Sequence, residues 1–246
     1  MSQFMLIIRE SEATEAALGA AETRALLEAR AAYEQDLRVA AAHCDGERFR
    51  PSAEGRRVRR RDGQLQIDVG PFEPKAFGAY YLIEAPSLDA AVALAEGCPV
   101  SPDAELDVRP VMRGELSPDK ASQQGRVFAF AVLGDAPSEQ GWIDVMDHIQ
   151  QLGRDGRAQG GYDAIAGFPA AQRLGGVRLE APGRGRQVVN TGGRRAVFDG
   201  PFLESKEVIG GLFFMRIASL EAAVQWASEK QFIQYGATEI RELWRS

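Results

Sequence analysis

Gly70-Pro71-Phe72 returns as Gly200-Pro201-Phe202, and the residues downstream of each copy return with it. The segment from Gly78 to Ala95 lines up with Gly210 to Ala227, including a shared Ser-Leu-acid-Ala-Ala-Val core at Ser87 to Val92 and Ser219 to Val224. The turn glycines lie 130 residues apart and the next opening glycines 132, so the first copy's loop is two residues shorter. A chain that repeats itself over this span must build one supersecondary unit twice and bury the two against each other. The expected division is a first domain at 1–113, a polar linker at 114–125 and a second domain at 126–246, each of ordinary size for a unit with its own core.

Composition narrows the class. An apolar content of 45% beside 26% charged residues describes a globular chain, and no apolar run reaches membrane-spanning length. Phe4 to Ile8 is too short for a signal segment and runs into Arg9 and Glu10, so the expected location is the cytoplasm, with no membrane partner. A net charge of −6 argues against nucleic acid as a partner. Cys44 and Cys98 have no spacing partners for a metal or redox motif.

Each copy begins with an apolar strand, Phe4 to Ile8 or Val127 to Leu133. A helical stretch comes next, with Ala25, Leu26, Ala29, Ala32, Tyr33 and Leu37 in the first copy and Ile143, Met146, Ile149 and Leu152 in the second at helical spacing. His43, Cys44 and Asp45 are expected at the end of that helix, where consecutive side chains diverge. A hairpin turning at Asp62-Gly63 or Gly192-Gly193 leads into the Gly-Pro-Phe loop. The run Arg56 to Arg61 falls on a hairpin strand and reads as a charged edge that blocks strand addition. A strand with apolar residues on both faces, a helix capped by Ser87 or Ser219, and a closing strand with Leu106 and Val108 opposed to Asp107 and Arg109 complete the unit.

The predicted fold is therefore α+β: two ferredoxin-like, split βαβ domains packed sheet to sheet as an intramolecular pseudo-dimer. The two-faced strands decide the association, because helices cover one face of such a sheet and the other needs a second sheet.

The stretch Asp199-Gly200-Pro201-Phe202, continuing through Glu204 and Lys206 to Gly210-Gly211, resembles the DGPF branch of the YCII-related family. Gly70-Pro71-Phe72-Glu73-Pro74-Lys75 and the closing Asp107-Val108-Arg109-Pro110-Val111-Met112 resemble it again. The resemblance implies a dimeric α/β barrel, here made within one chain. It also implies lyase-like or dehalogenase-like chemistry in some relatives and an association with extracytoplasmic-function sigma factors in others. The first copy departs from the pattern with Val69 in place of the motif's Asp.

Candidate catalytic residues are Asp199 and Lys206 at the second loop and the Asp144 and His148 pair, four residues apart on one helical face. Candidate ligand-binding residues are Phe202 and Glu204 beside them, Phe72 and Lys75 in the first loop, Tyr80 on the following strand, and Arg109 and Arg241 on the closing strands. The arginines lie opposite Val108 and Ile240, so they face the space between sheets, where they suit either an anionic ligand or internal carboxylates. Asp199 reads equally as a turn cap. No cofactor and no metal are implied. The expected function is binding of a small polar or anionic molecule between sheet and helices, centred on Asp199 to Lys206 facing the strand of Arg241. A non-catalytic accessory protein working through its outer surface is the alternative, and a further homodimer stays open.

Overall fold

A computed structural model describes residues 1–40, 42–72, 74–116, 125–134, 173–200, 208–229 and 236–244. The described residues are mostly antiparallel sheet. The first half holds β1 (Ser2–Glu10), α1 (Glu12–Ala16), α2 (Ala20–Val39), β2 (His43–Arg48), β3 (Arg56–Arg61), β4 (Gln64–Val69), β5 (Ala76–Ala85), α3 (Leu88–Gly97) and β6 (Glu105–Leu116). The second holds β7 (Val127–Gly134), β8 (Arg173–Leu179), β9 (Arg186–Thr191), β10 (Arg194–Asp199), β11 (Val208–Arg216), α4 (Leu220–Ser228) and β12 (Gly236–Glu242). Among the described residues, no helix is long and apolar enough to cross a membrane.

The two halves repeat one strand order, β2-β5-β1-β6 and β8-β11-β7-β12, and β6 continues directly onto β8. At the other seam Phe49 bridges Leu243, Arg50 N–H donates to the Glu242 carbonyl at 2.8 Å, and Trp244 N–H donates to the Arg48 carbonyl at 2.8 Å. The eight strands therefore close into a ring.

Alternation along each strand explains why this ring is stable. Met5, Ile7, Tyr80 and Leu82 meet Ala129, Ala131, Leu212 and Phe214 inside it. Phe4, Leu6, Tyr81 and Ile83 turn outward under α2 and α3, while Phe128, Phe130, Phe213 and Met215 turn outward under α4. The two-faced strands read from the sequence are thus buried on both sides, one face by helices and one by the opposite half.

Three sequence expectations are corrected. His43 to Asp45 are not a helix end but open β2, which pairs with β5. Arg56 to Arg61 is not an edge, because β3 lies between β12 and β4. Its charge is tolerable there because Arg57 pairs with Glu239 and Arg59 with Asp68, each at 2.9 Å. Third, the buried stripe of α2 runs through Leu26, Arg30, Tyr33 and Leu37, leaving Ala25, Ala29 and Ala32 exposed. Arg30 is buried because Glu10 meets it at 2.5 Å.

The halves also exchange their hairpins. β3 and β4, from the first half, extend the second half's sheet through β12, and β9 and β10 extend the first half's sheet through β6. The glycine that opens each repeated Gly-Pro-Phe motif is the seat of this exchange. A Cβ on Gly70 would stand 1.8 Å from the Ser52 carbonyl oxygen, and one on Gly200 2.2 Å from that of Pro182. Only glycine lets each hairpin return so close over its short 3-10 turn.

Candidate functional site

Registers place the closing-strand charges inside the ring. Arg109 and Asp107 stand opposite Met5 and Ile7, while Arg241 and Glu239 stand opposite Ala129 and Ala131. Arg241 donates to Glu239 at 2.9 Å and through Nε to the Arg50 carbonyl at 2.9 Å. Glu239 also takes Arg57, whose guanidinium lies 4.3 Å from the Phe72 ring centre. Phe72 N–H donates to the Ser52 hydroxyl at 3.0 Å, Ser52 donates to Glu12 at 2.6 Å, and Glu12 lies 3.6 Å from Arg241. Phe72 and Arg241 are therefore brought together, in a closed chain of contacts that ties the first half's loop to the second half's last strand.

The equivalent place in the other half is held by different contacts. Arg109 donates to the Glu180 carbonyl and to the Ile209 carbonyl, and Asp107 accepts from Gln187 at 2.9 Å. Burial pushes the Asp107 carboxyl up, with Arg9, Gln187 and Arg109 opposing the shift. Burial likewise lowers Arg109 to about 10, against the pull of Asp107 and Glu180. Lys75 pairs with Glu105 at 2.7 Å on the rim of the same strand.

Tyr80 is fully buried inside the ring, 5.1 Å from the Phe214 ring and 5.9 Å from that of Phe49, with its hydroxyl donating to Asp45 at 2.7 Å. Desolvation first, then Asp45, pushes its phenol well above the usual range. For Asp199 the expected neighbouring strand is corrected. Asp199 ends β10, whose partner β9 lies on β6, so it belongs beside the strand of Arg109 rather than that of Arg241. Its carboxylate is 86% exposed and paired with Arg186 at 2.8 Å. Asp144, His148, Phe202, Glu204 and Lys206 lie outside the described residues.

A concavity does exist elsewhere. Ser219 caps α4 by accepting from Ala222 N–H at 3.2 Å, which sets the helix so that Ala223 and Ala227 seal the sheet. Leu220 and Val224, one turn apart, then face Leu65 and Ile67 of β4 across a groove of about 490 Å³. Arg56, Glu221, Gln225 and Ser228 supply its polar margin. Hydrogen bonds from its own backbone N–H and from Ser219 hold the Glu221 carboxyl below its ordinary range, with Arg126 and Arg56 adding to the effect. Reading the sequence misses this site because its walls come from different halves: the hairpin has first to be exchanged onto α4. The signal is the alternation Leu65, Ile67, Val69 on the second strand of the hairpin, an apolar face for which local reading offers no cover. Among the described residues no cluster of His, Cys, Asp or Glu is arranged to hold a metal ion.

The family model of the YCII-related domain matches twice, at residues 2–115 and 136–246. The chain belongs to the YCII-related family. Its two matches flank residues 116–135, in agreement with a tandem duplication of the YCII-related domain. A solved structure titled as a putative chlorite dismutase is similar over 99% of this chain and 95% of its own, at 10% identity and a TM-score of 0.43. No curated protein matches.

Proposed function

We propose that this YCII-related protein binds a small amphipathic molecule in the groove between the exchanged hairpin β3–β4 and helix α4. The observation that carries the reading is the pairing of Leu65 and Ile67 with Leu220 and Val224 around about 490 Å³, a size suited to a small ligand. An apolar body fits those four side chains, and a polar end fits Gln225 and Ser228. Among the described residues its lining includes both a cation and a carboxylate, Arg56 and Glu221, which favours a ligand of small net charge over a strongly anionic one. The duplicated unit is read as a ferredoxin-like, split βαβ domain. The repeated strand order supports this, and the segment in which the sequence places the second copy's first helix lies outside the described residues.

A non-catalytic accessory role is the second reading, favoured by the interior of the ring. Among the described residues Tyr80, Phe214 and Phe49 pack within that space, while Val69, Val197 and Phe198 are exposed on the outside.

Titration with 1-anilinonaphthalene-8-sulfonate tests the groove. Saturable binding by the native protein that is lost in Val224→Arg, with an unchanged thermal transition, is the expected result. Equal binding by wild type and variant overturns it.

A further inference from the structure

We infer that β4 is a docking edge for a second copy of this chain, through antiparallel pairing of β4 with β4 about Ile67. The hairpin's geometry sets which backbone groups are on offer. Asp62 at φ 49° and Gly63 at φ 77° make a two-residue turn closed by the Arg61 and Gln64 pair. Such a turn is flanked by a hydrogen-bonded pair, so Gln64, Gln66 and Asp68 direct their N–H and C=O groups to β3. Leu65, Ile67 and Val69 direct theirs away from the sheet, and among the described strands β4 pairs with β3 alone. The side chains of these same three residues are 41%, 45% and 62% exposed.

The second half contains its own control. Gly192 at φ 58° and Gly193 at φ 84° make the same turn, so Arg195, Val197 and Asp199 occupy the outward positions of β10. There the edge is guarded. Arg195 donates to the Ala95 carbonyl at 3.1 Å and to those of Glu96 and Cys98, and Asp199 pairs with Arg186. Charge at alternate positions is how natural edges prevent strand addition, and β4 carries apolar residues where β10 carries charge.

The occupant is argued from self-complementarity. With Ile67 on the two-fold axis, Leu65 faces the second copy's Val69, and all three outward residues pair in the hydrogen-bonded sense. On the opposite face Gln66 meets Asp68, so no like charges stand opposite one another, and Arg59 at 2.9 Å already balances Asp68. Six residues a side make a contact at the low end of specific interfaces, which implies a weak, concentration-dependent dimer.

Sedimentation velocity of the full chain over a wide concentration range tests this. Wild type is expected to shift from monomer to dimer, Ile67→Lys to raise the dissociation constant about tenfold or more, and Val197→Lys to leave it unchanged. Val224→Arg, which addresses the groove on α4, is expected to keep the dimer, so failure of ligand binding and failure of edge pairing are read separately. Under mild oxidation Ile67→Cys is expected to cross-link to itself, since a hydrogen-bonded pair places the two Cα atoms about 5.5 Å apart, while Val69→Cys is not. A wild type that stays monomeric throughout, an Ile67→Lys variant that dimerises as wild type does, or cross-linking by Val69→Cys in place of Ile67→Cys overturns the inference.

Discussion

Gly70 packs so closely on Ser52 that a Cβ at position 70 would lie 1.8 Å from the Ser52 carbonyl oxygen. The atom in the way is backbone, so no side-chain rotation relieves it. Gly70→Ala is expected to destabilise the protein by about 3 kcal/mol, at the upper end of what overpacking costs. Gly200→Ala, which meets the Pro182 carbonyl at 2.2 Å, is expected to behave alike. Urea unfolding of both variants checks this, and a loss below about 0.5 kcal/mol, the range of ordinary surface substitutions, would refute the seat.

Arg241 and Glu239 form a second junction between the halves. Both are buried, and Arg241 also holds the Arg50 carbonyl. Arg241→Ala leaves Glu239 with Arg57 as its remaining cation among the described residues and is expected to cost about 3 kcal/mol. Arg241→Lys retains the charge but not the fork that serves two acceptors at once, so its cost should fall between those of wild type and alanine. A double-mutant cycle with Glu239→Gln is expected to return a coupling above about 1 kcal/mol, and additive losses would show that the two act separately.

These two junctions mark the boundary of what is legible in the sequence. The duplication, the two-faced strands at Tyr80 to Leu82 and Leu212 to Met215, and the inward direction of Arg109 and Arg241 follow from local periodicity, and each is seen in the structure. Hairpin exchange does not follow from periodicity. Strands β3 and β9 have the same alternation whichever half they join, and their partners lie far away in sequence: Arg57 with Glu239 and Gln187 with Asp107. Local reading therefore sets Asp199 beside the wrong arginine strand. Strand β2 escapes such a reading for a different reason, since His43-Cys44-Asp45-Gly46 has low strand propensity and is held by pairing with β5.

Arg195 and Leu65 occupy matching positions in the two hairpins, yet only Arg195 meets the last carbonyls of a helix, those of Ala95, Glu96 and Cys98. A cation at a helix C-terminus satisfies orphan acceptors and complements the helix dipole. Arg195→Leu is expected to lower stability by about 1 kcal/mol and to speed amide exchange at the end of α3. Exchange at α3 that matches wild type would remove the capping role.

Cys98 is fully buried, and burial pushes its thiol up to about 12 from an ordinary value of 9.0, with Arg30 and Arg195 opposing. Between pH 9 and about 12 the unfolded chain therefore has lost this proton while the folded chain keeps it. Stability bound to Cys98 is complete below pH 9 and falls as pH rises, by about 1.4 kcal/mol per pH unit for one proton. The phenols of Tyr33, Tyr80 and Tyr81, raised chiefly by burial, add to the fall above pH 10. Cys98→Ala is expected to start less stable than wild type but to lose less between about pH 9 and 10, before the tyrosines contribute. Parallel slopes for the two proteins in that interval, measured by denaturant unfolding, would show that Cys98 ionises as readily folded as unfolded and that the space beneath α3 is open to water.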